Sequence, residues 1–226
     1  MNKLSTTNSN INTEIINIFS SKFLNFIRNP FSIKKILNTF PALTNVHPTN
    51  SIHYENFKRI INGKKPQQNR LCQHLDISES EYIKWLQIIF LLLTPLDRNK
   101  QNFLEQTIKG LFESSDLFIT ILIYTYDEKT CLLSDRGYST PLPEPHMAFD
   151  FNLQSNAFIR YIFSDINSLI PENISKELVK SFKSKPKLIQ VQRHTNDLDA
   201  LKKYNRNVVY QCAETVFNSS IECHGL

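Results

Sequence analysis

Hydrophobic and polar positions follow a helical period through the first half of the chain. Apolar side chains recur there every three or four residues, which is the spacing that gives a helix one buried face. Prolines and short polar stretches interrupt this pattern and indicate loops. The pattern predicts five helices, at residues 13–28, 31–40, 52–62, 78–93 and 97–112.

Residues 78–93 give the strongest of these helical signals. Ser78 and Glu81 have the S-x-x-E spacing of a capping box, in which each residue hydrogen-bonds the other's main chain. Tyr82 and Trp85 then begin a single apolar face. We therefore expect Trp85 to be buried.

The pattern changes after residue 116. Residues 117–126 are rich in isoleucine, phenylalanine, tyrosine and threonine, which favours a buried strand. Residues 130–133 are predicted to return as the second strand of a hairpin that Gly137 closes. Further helices are predicted at residues 153–170, 171–182, 196–204 and 208–217, with a short strand at 188–191; the pattern at 208–217 also fits a strand.

Together these elements predict an α+β, helix-rich fold. An N-terminal helical region, residues 1–96, is expected to pack on an α+β region, residues 97–226. The second region would contain a small, mainly antiparallel sheet with flanking helices.

The order of elements in residues 98–170 resembles the first half of a GAF-type sensory domain. A helix is followed by a buried strand, a D-E-K-T turn, a short strand, R-G-Y, a proline-containing loop and a helix that ends in I-N-S-L-I-P-E. The resemblance covers about a third of the chain and rests on this order. It implies a non-catalytic domain that binds a small ligand or mediates dimerisation, and it assigns no ligand residues.

Composition excludes several kinds of nucleotide site. The chain has four glycines, and no two lie close together. Loops that cradle phosphates need clustered glycines, so a P-loop, a Rossmann fingerprint and a kinase glycine-rich loop are absent from the sequence. The four cysteines form no C-x-x-C pair, and no two of the six histidines have helical i, i+4 spacing. The sequence therefore predicts a non-catalytic protein with no metal and no cofactor.

The longest apolar runs, residues 88–93 and 117–123, are far shorter than the roughly 20 residues of a transmembrane helix. No secretory leader is recognisable at the start of the sequence. We expect reduced cysteines, no transmembrane segment and a cytoplasmic location.

The leading hypothesis is a regulatory or adaptor protein that acts through protein–protein contacts, including as a subunit of a larger bacterial assembly. The candidate partner-binding residues lie on the apolar face of the helix at 13–28: Phe19, Phe23, Phe26 and Ile27. Aromatic-rich helix faces of this kind anchor many interfaces, and a terminal helix leaves its own core more easily than an internal one. The opposing interpretation is that these side chains complete the N-terminal core.

The first alternative is a DNA-binding transcriptional regulator that uses residues 58–92. Residues 71–86 resemble a helix-turn-helix motif, although Asp76 occupies the turn position that glycine usually fills. Glu79 and Glu81 at the start of the second helix would repel the DNA backbone. The candidate phosphate contacts are Lys58, Arg59, Lys64, Lys65 and Arg70. The second alternative is a small-molecule sensor with a pocket in the α+β half.

Basic residues cluster again towards the C-terminus. Lys176, Lys180 and Lys183 fall on one face of a predicted helix, and Lys185, Lys187 and Arg193 follow them. One interpretation is a solvated surface. The other is a binding surface for an acidic partner, RNA or lipid headgroups.

Overall fold

The computed structural model describes residues 8–95, 101–141, 146–171, 174–184 and 189–226. Over these residues it confirms the α+β, helix-rich architecture. The chain groups into two compact units: one comprises Met1–Lys22 with Leu111–Leu226, and the other comprises Phe23–Gly110. The division of the chain into two regions at residue 96, expected from the sequence, stays a prediction.

Helices form most of the chain before the sheet. They are α1 (Asn8–Arg28), α2 (Ile33–Thr39), α3 (Ser51–Asn62), α4 (Gln68–Leu75), α5 (Glu79–Leu93) and α6 (Phe103–Glu113), with short 3-10 segments at Pro30–Ser32 and Pro41–Asn45. Four of the five predicted helices thus begin within a few residues of the predicted position. The predicted start of the fifth, at residue 97, lies outside the described residues.

The capping box at the start of α5 is confirmed. The Ser78 hydroxyl accepts a hydrogen bond from the Glu81 N–H at 3.2 Å, and the Glu81 carboxylate accepts one from the Ser78 N–H at 2.8 Å. Trp85 is 5% exposed, so its predicted burial is also confirmed. Its indole N–H donates to the carbonyl of Ile27 at 2.9 Å, which satisfies the one polar atom of this side chain.

Within the described residues, the second half of the chain forms six strands. They are β1 (Leu117–Thr125), β2 (Leu133–Ser134), β3 (Met147–Gln154), β4 (Ala157–Asp165), β5 (Ile189–Thr195) and β6 (Val216–Phe217). Four of them form the main sheet in the order β3-β4-β1-β5, and β2 pairs with β6 in a separate two-stranded ribbon. The β3–β4 and β4–β1 pairs are antiparallel and the β1–β5 pair is parallel, so the predicted mainly antiparallel sheet is confirmed.

Helices cover both faces of this sheet. Three follow β4 in the chain: α7 (Ile166–Leu169), α8 (Lys176–Lys183) and α9 (Leu198–Gln211). On one face, Tyr204 of α9 packs in a buried cluster with Tyr124 and Phe158. On the other, Phe19 of α1 lies against Tyr161, with 5.0 Å between the ring centroids.

The predicted hairpin between residues 117–126 and 130–133 is wrong. β1 pairs with β4 along nine residue pairs, whereas Leu133 pairs with Phe217. Residues 130–132 instead form a loop held by α9: the Leu132 N–H donates to Asn205 Oδ1 at 3.0 Å, and the Tyr204 hydroxyl donates to the Leu132 carbonyl at 2.9 Å. β4 offers β1 a much longer hydrogen-bonded ladder than a four-residue strand does, and this partner is distant in sequence.

The predicted helix at 153–170 is also wrong. The segment contains the end of β3, a turn at Ser155 and Asn156, and all of β4, and only the four residues of α7 near its end are helical. β4 lies between β3 and β1, and helices cover both faces of the sheet, so β4 is buried on both faces and shows no alternation of polar and apolar residues. Its buried residues Phe158, Ile159 and Phe163 match helical spacing by coincidence.

The last predicted helices also differ from those observed. The two helices predicted at 196–204 and 208–217 are a single helix, α9, followed by β6. The helix predicted from residue 171 is observed as α8, from Lys176. The strand predicted at 188–191 is observed as the longer β5.

Candidate functional site

Among the described residues, no element covers the outer side of β5, which forms one edge of the main sheet. Among the described elements, β5 has extensive contacts with β1 alone. The Asn196 N–H donates to the Thr125 carbonyl at 2.9 Å and continues the ladder between the two strands. Main-chain groups of successive residues point in opposite directions in a strand, so the N–H of Val191 and that of Thr195 point away from β1. In the described part of the chain, neither N–H has a hydrogen-bond partner.

The opposite edge of the sheet is covered at its centre. The Ser139 N–H donates to the Asp150 carbonyl at 3.0 Å, and the Asp150 N–H donates to the Ser139 carbonyl at 2.7 Å. This pair of bonds occupies the outer side of β3 where a partner strand would pair. The two edges therefore differ, and β5 is the more accessible.

An aromatic stack fixes β5 to the rest of the sheet. The rings of His194 and Tyr124 lie 4.9 Å apart, those of Tyr124 and Phe158 4.5 Å, and those of Phe158 and Tyr204 4.1 Å, all within 18° of parallel. The stack joins β5, β1, β4 and α9. Such packing orders the edge strand before any partner arrives, which lowers the entropy cost of binding.

The turn that follows β5 is held equally firmly. Asn196 adopts a left-handed conformation with φ of 56°, which asparagine tolerates better than most residues. Its side chain donates to the Asp127 carboxylate at 2.7 Å and accepts from the Asp127 N–H at 3.1 Å. Asp197 then caps α9 by accepting a hydrogen bond from the Ala200 N–H. The C-terminal end of β5 is thus locked to the end of β1.

Among the described ion pairs, the most deeply buried joins β3 and β4, the two strands farthest from β5. Asp150 of β3 is 0% exposed, and its two carboxylate oxygens accept hydrogen bonds of 2.7 and 2.8 Å from Arg160 of β4. Burial opposes charge on Arg160, but the hydrogen bonds and the negative charge of Asp150 outweigh it and raise the pKa of this guanidinium. A carboxylate with both oxygens engaged does not offer itself as a general base. The pair ties β3 to β4.

A second carboxylate is saturated by main-chain donors. Asp135 accepts hydrogen bonds from the N–H groups of Ala213, Glu214 and Thr215 at 2.7–2.9 Å. Partial burial opposes ionisation of Asp135, but these hydrogen bonds outweigh it and lower the pKa of the carboxyl. The interaction anchors the segment between α9 and β6.

Among the described cysteines, Cys131 has the most strongly raised pKa, and a protonated thiol is a poor nucleophile. Burial raises the pKa of Cys131 to about 12, so this cysteine stays protonated near neutral pH. Within the described residues, no three histidine, cysteine, aspartate or glutamate side chains lie close enough to share a metal ion. In the same residues, no helix has the length and apolar character needed to cross a bilayer.

Most of the predicted docking face of α1 is buried. Phe19, Phe26 and Ile27 are at most 5% exposed, and Phe23 is half-buried. Phe19 makes edge-to-face contacts with five rings: Phe112, Phe149, Phe151, Tyr161 and Phe163. An interface through this face therefore requires α1 to leave its place in the protein.

The five predicted phosphate contacts have different environments. Lys58 forms an ion pair with Glu55 at 3.3 Å, and Lys65 donates to the Gly63 carbonyl at the end of α3. Arg59, Lys64 and Arg70 are exposed. These five residues lie on α3, on α4 and in the loop that joins the two helices.

The helix pair α4–α5 has the predicted turn between its helices. Asp76 ends α4 in the left-handed conformation, with φ of 49°, that was expected to favour glycine. Aspartate is one of the few other residues that adopt this conformation readily.

A groove of about 630 Å³ runs beside α4 and is lined by Pro30, Phe31, Gln67, Arg70, Leu71, Gln73, His74 and Leu75.

The open edge was missed by the sequence analysis. Residues 189–192 alternate apolar and polar side chains, whereas residues 193–195 are all polar, so the local pattern indicates only the first part of the strand. Nothing in that alternation distinguishes an edge strand from a central one. The position of β5 follows from its parallel pairing with β1, which lies 64 residues or more away in sequence.

Comparison of the chain with protein-family models, with curated proteins and with solved structures found no match. The resemblance of residues 98–170 to GAF-type domains stays a prediction.

Proposed function

We propose that this protein is a non-catalytic regulatory or adaptor protein that binds a partner by receiving an extended segment of it along β5. One observation carries the proposal: in the described part of the chain, the N–H groups of Val191 and Thr195, which point away from β1 on a seven-residue edge strand, have no hydrogen-bond partner. Strand addition to such an edge is a common mode of protein recognition, in which main-chain hydrogen bonds give affinity.

The character of β5 supports this proposal. Proteins commonly protect an edge strand with a proline, a bulge, a very short length or a covering element. β5 contains no proline, and its register with β1 is continuous over seven residue pairs. The aromatic stack through His194 holds it in the extended conformation that strand addition needs.

The polar clusters support a non-catalytic role. Asp150 with Arg160, and Asp135 with the main chain after α9, have the best-defined geometry of the charged groups described above. The first joins the adjacent strands β3 and β4, and the second joins segments about 80 residues apart in sequence. A cytoplasmic location and membership of a larger bacterial assembly, both expected from the sequence, remain part of this proposal.

A proline substitution tests the edge. Val191→Pro removes the outward N–H, whereas Val191→Ala shortens the same side chain and keeps that donor. Proline is tolerated on edge strands where the N–H faces outward, so both variants should fold. Tagged wild-type protein and both variants would be purified from the native source, and the proteins that co-purify would be identified by mass spectrometry.

We expect a stoichiometric partner with wild-type protein and with Val191→Ala, and its loss with Val191→Pro. Thermal unfolding of each purified variant shows that the fold is kept. Retention of the partner by Val191→Pro contradicts binding at β5. Recovery of the wild-type protein alone, as a stable monomer, contradicts the adaptor function.

A further inference from the structure

We infer that the partner segment received by β5 is an acidic strand that carries both apolar and acidic residues. This inference rests on the proposed function and names the chemistry of the partner. Two independent features carry it: the distribution of charge along the chain, and the different surroundings of the two rows of β5 side chains.

The positive charge of the protein is concentrated in the segment that contains β5. Residues 176–206 include nine lysines and arginines and three aspartates and glutamates, a net charge of +6. The whole chain has a net charge of +5, so all other residues together carry −1. Arg193 within β5 is exposed, and so are Lys180 of α8 and Lys203 of α9. A partner that meets this segment gains electrostatic attraction if it is acidic.

Self-association through this edge is opposed by the same charge. Pairing β5 with β5 of a second copy brings two segments of net +6 together, in either strand direction. Like charges brought together across paired strands are destabilising. An acidic segment of another protein can hydrogen-bond the outward main-chain groups of β5 and also neutralise the positive charge of residues 176–206.

The side chains of β5 define two different rows. Ile189 and Val191 are half-buried, and their cross-strand neighbours are the buried residues Ile119 and Ile121 of β1. In the other row, Gln190 and Gln192 are exposed. A strand added beside β5 continues both rows, because side chains alternate between the two faces of a sheet. Arg193 and Thr195, both exposed, belong to the first row. Apolar residues of the partner would lie beside Ile189 and Val191, and its acidic residues would lie beside Arg193 and in the polar row.

Two synthetic peptides test this inference. The first is a capped seven-residue peptide that alternates glutamate and valine, and the second has lysine in place of each glutamate. Each would be titrated into the full-length ¹⁵N-labelled protein, and amide chemical shifts would be followed at low and at high salt. The Val191→Pro and Val191→Ala variants serve as the matched pair.

We expect the glutamate peptide to shift the amide signals of Val191 and Thr195. The lysine peptide should bind at least about tenfold more weakly, and salt should weaken the glutamate peptide because it screens exposed charges. Val191→Ala should keep the binding and Val191→Pro should lose it.

Several results would overturn the acidic partner. If the lysine peptide binds as tightly as the glutamate peptide or more tightly, the partner is not acidic, although strand addition at β5 still holds. The same conclusion follows if the protein self-associates and Val191→Pro abolishes the self-association. Binding of neither peptide, or binding of a single-stranded RNA oligonucleotide to the same amides, also overturns the acidic partner. The co-purification experiment on Val191→Pro is independent of all these results, so failure of the acidic partner and failure of the adaptor function are distinguishable.

Discussion

Asp150 and Arg160 face each other across β3 and β4 and are joined by two hydrogen bonds, of 2.7 and 2.8 Å. The carboxylate is fully buried and the guanidinium side chain is 16% exposed. Charges removed from water to this degree are costly unless each keeps its partner. The pair therefore constrains which residues are tolerated at both positions.

Asp150→Asn should destabilise the protein strongly. It leaves the Arg160 guanidinium buried without a compensating charge, and breaking a buried pair in this way typically costs about 3–5 kcal/mol. Urea unfolding of the wild type, of Asp150→Asn and of the double variant Asp150→Leu/Arg160→Leu measures the effect. The double variant should recover most of the loss, since it removes both charges. A double variant less stable than Asp150→Asn would contradict this account.

Asp135 should make stability depend on pH in the acidic range. Its folded-state pKa is lowered, so its contribution is present above the unfolded-state pKa of about 3.9 and is lost as pH falls through the folded-state value. Asp135→Asn should therefore destabilise the protein clearly at pH 7, by about 1.5–3 kcal/mol if a hydrogen bond to a charged group is the guide. The difference from wild type should shrink towards pH 3. A difference that is constant across this range would show that the charge is unimportant.

Trp85 is the single tryptophan, and its fluorescence reports on one site. Its burial predicts blue-shifted emission and weak quenching by iodide. Trp85→Ala should cost about 3–5 kcal/mol, as is usual for a large buried side chain. Trp85→Phe keeps most of the apolar volume but leaves the Ile27 carbonyl without the indole donor, at a cost of about 1–3 kcal/mol. Ready quenching in the native protein would contradict both expectations.

Removal of residues 1–29 should leave an aggregating or molten product. Phe19 would no longer fill the space among five aromatic rings, and the Tyr161 hydroxyl would lose its acceptor, the Ile15 carbonyl at 2.8 Å. The matched substitutions are Phe19→Ala, expected to cost about 3–5 kcal/mol, and Phe23→Ala, expected to cost less because Phe23 is half-buried. Thermal unfolding and a pull-down separate the outcomes. A truncated protein that unfolds cooperatively but has lost its partner would restore α1 as the docking element.

The DNA-binding alternative is tested by salt dependence. If residues 58–92 bind a duplex, affinity should fall steeply with salt because each neutralised phosphate releases counterions. Lys64→Ala and Arg70→Ala should flatten this dependence. Lys65→Ala is a poor test, because Lys65 also hydrogen-bonds the carbonyl of Gly63 at the end of α3. No mobility shift at low salt would eliminate the alternative.

Local signals explain where the sequence predicted the structure well. The capping box of Ser78 and Glu81 involves residues three apart, and the apolar face that contains Trp85 repeats within the same helix. Neither depends on which other element packs against α5. For the same reason, the strand at 117–125 was recognisable from its β-branched and aromatic residues.

The elements that were predicted wrongly are those whose structure depends on partners distant in sequence. β4 is strand rather than helix because β3 and β1 cover its two edges and both of its faces are buried, which removes the alternation that marks a half-exposed strand. Residues 130–133 lose their predicted pairing with β1 because β4 forms a longer ladder there.

The sequence by itself determined the α+β class, the main helices and the concentration of positive charge in residues 176–206. The tertiary structure decided that Phe19 is core and that β5 is an open edge. Burial and strand order depend on contacts between residues far apart in the chain, which no local period of apolar residues records. The candidate site lies at such a place: β5 is open because β1 pairs with it on one side, and no described element covers the other.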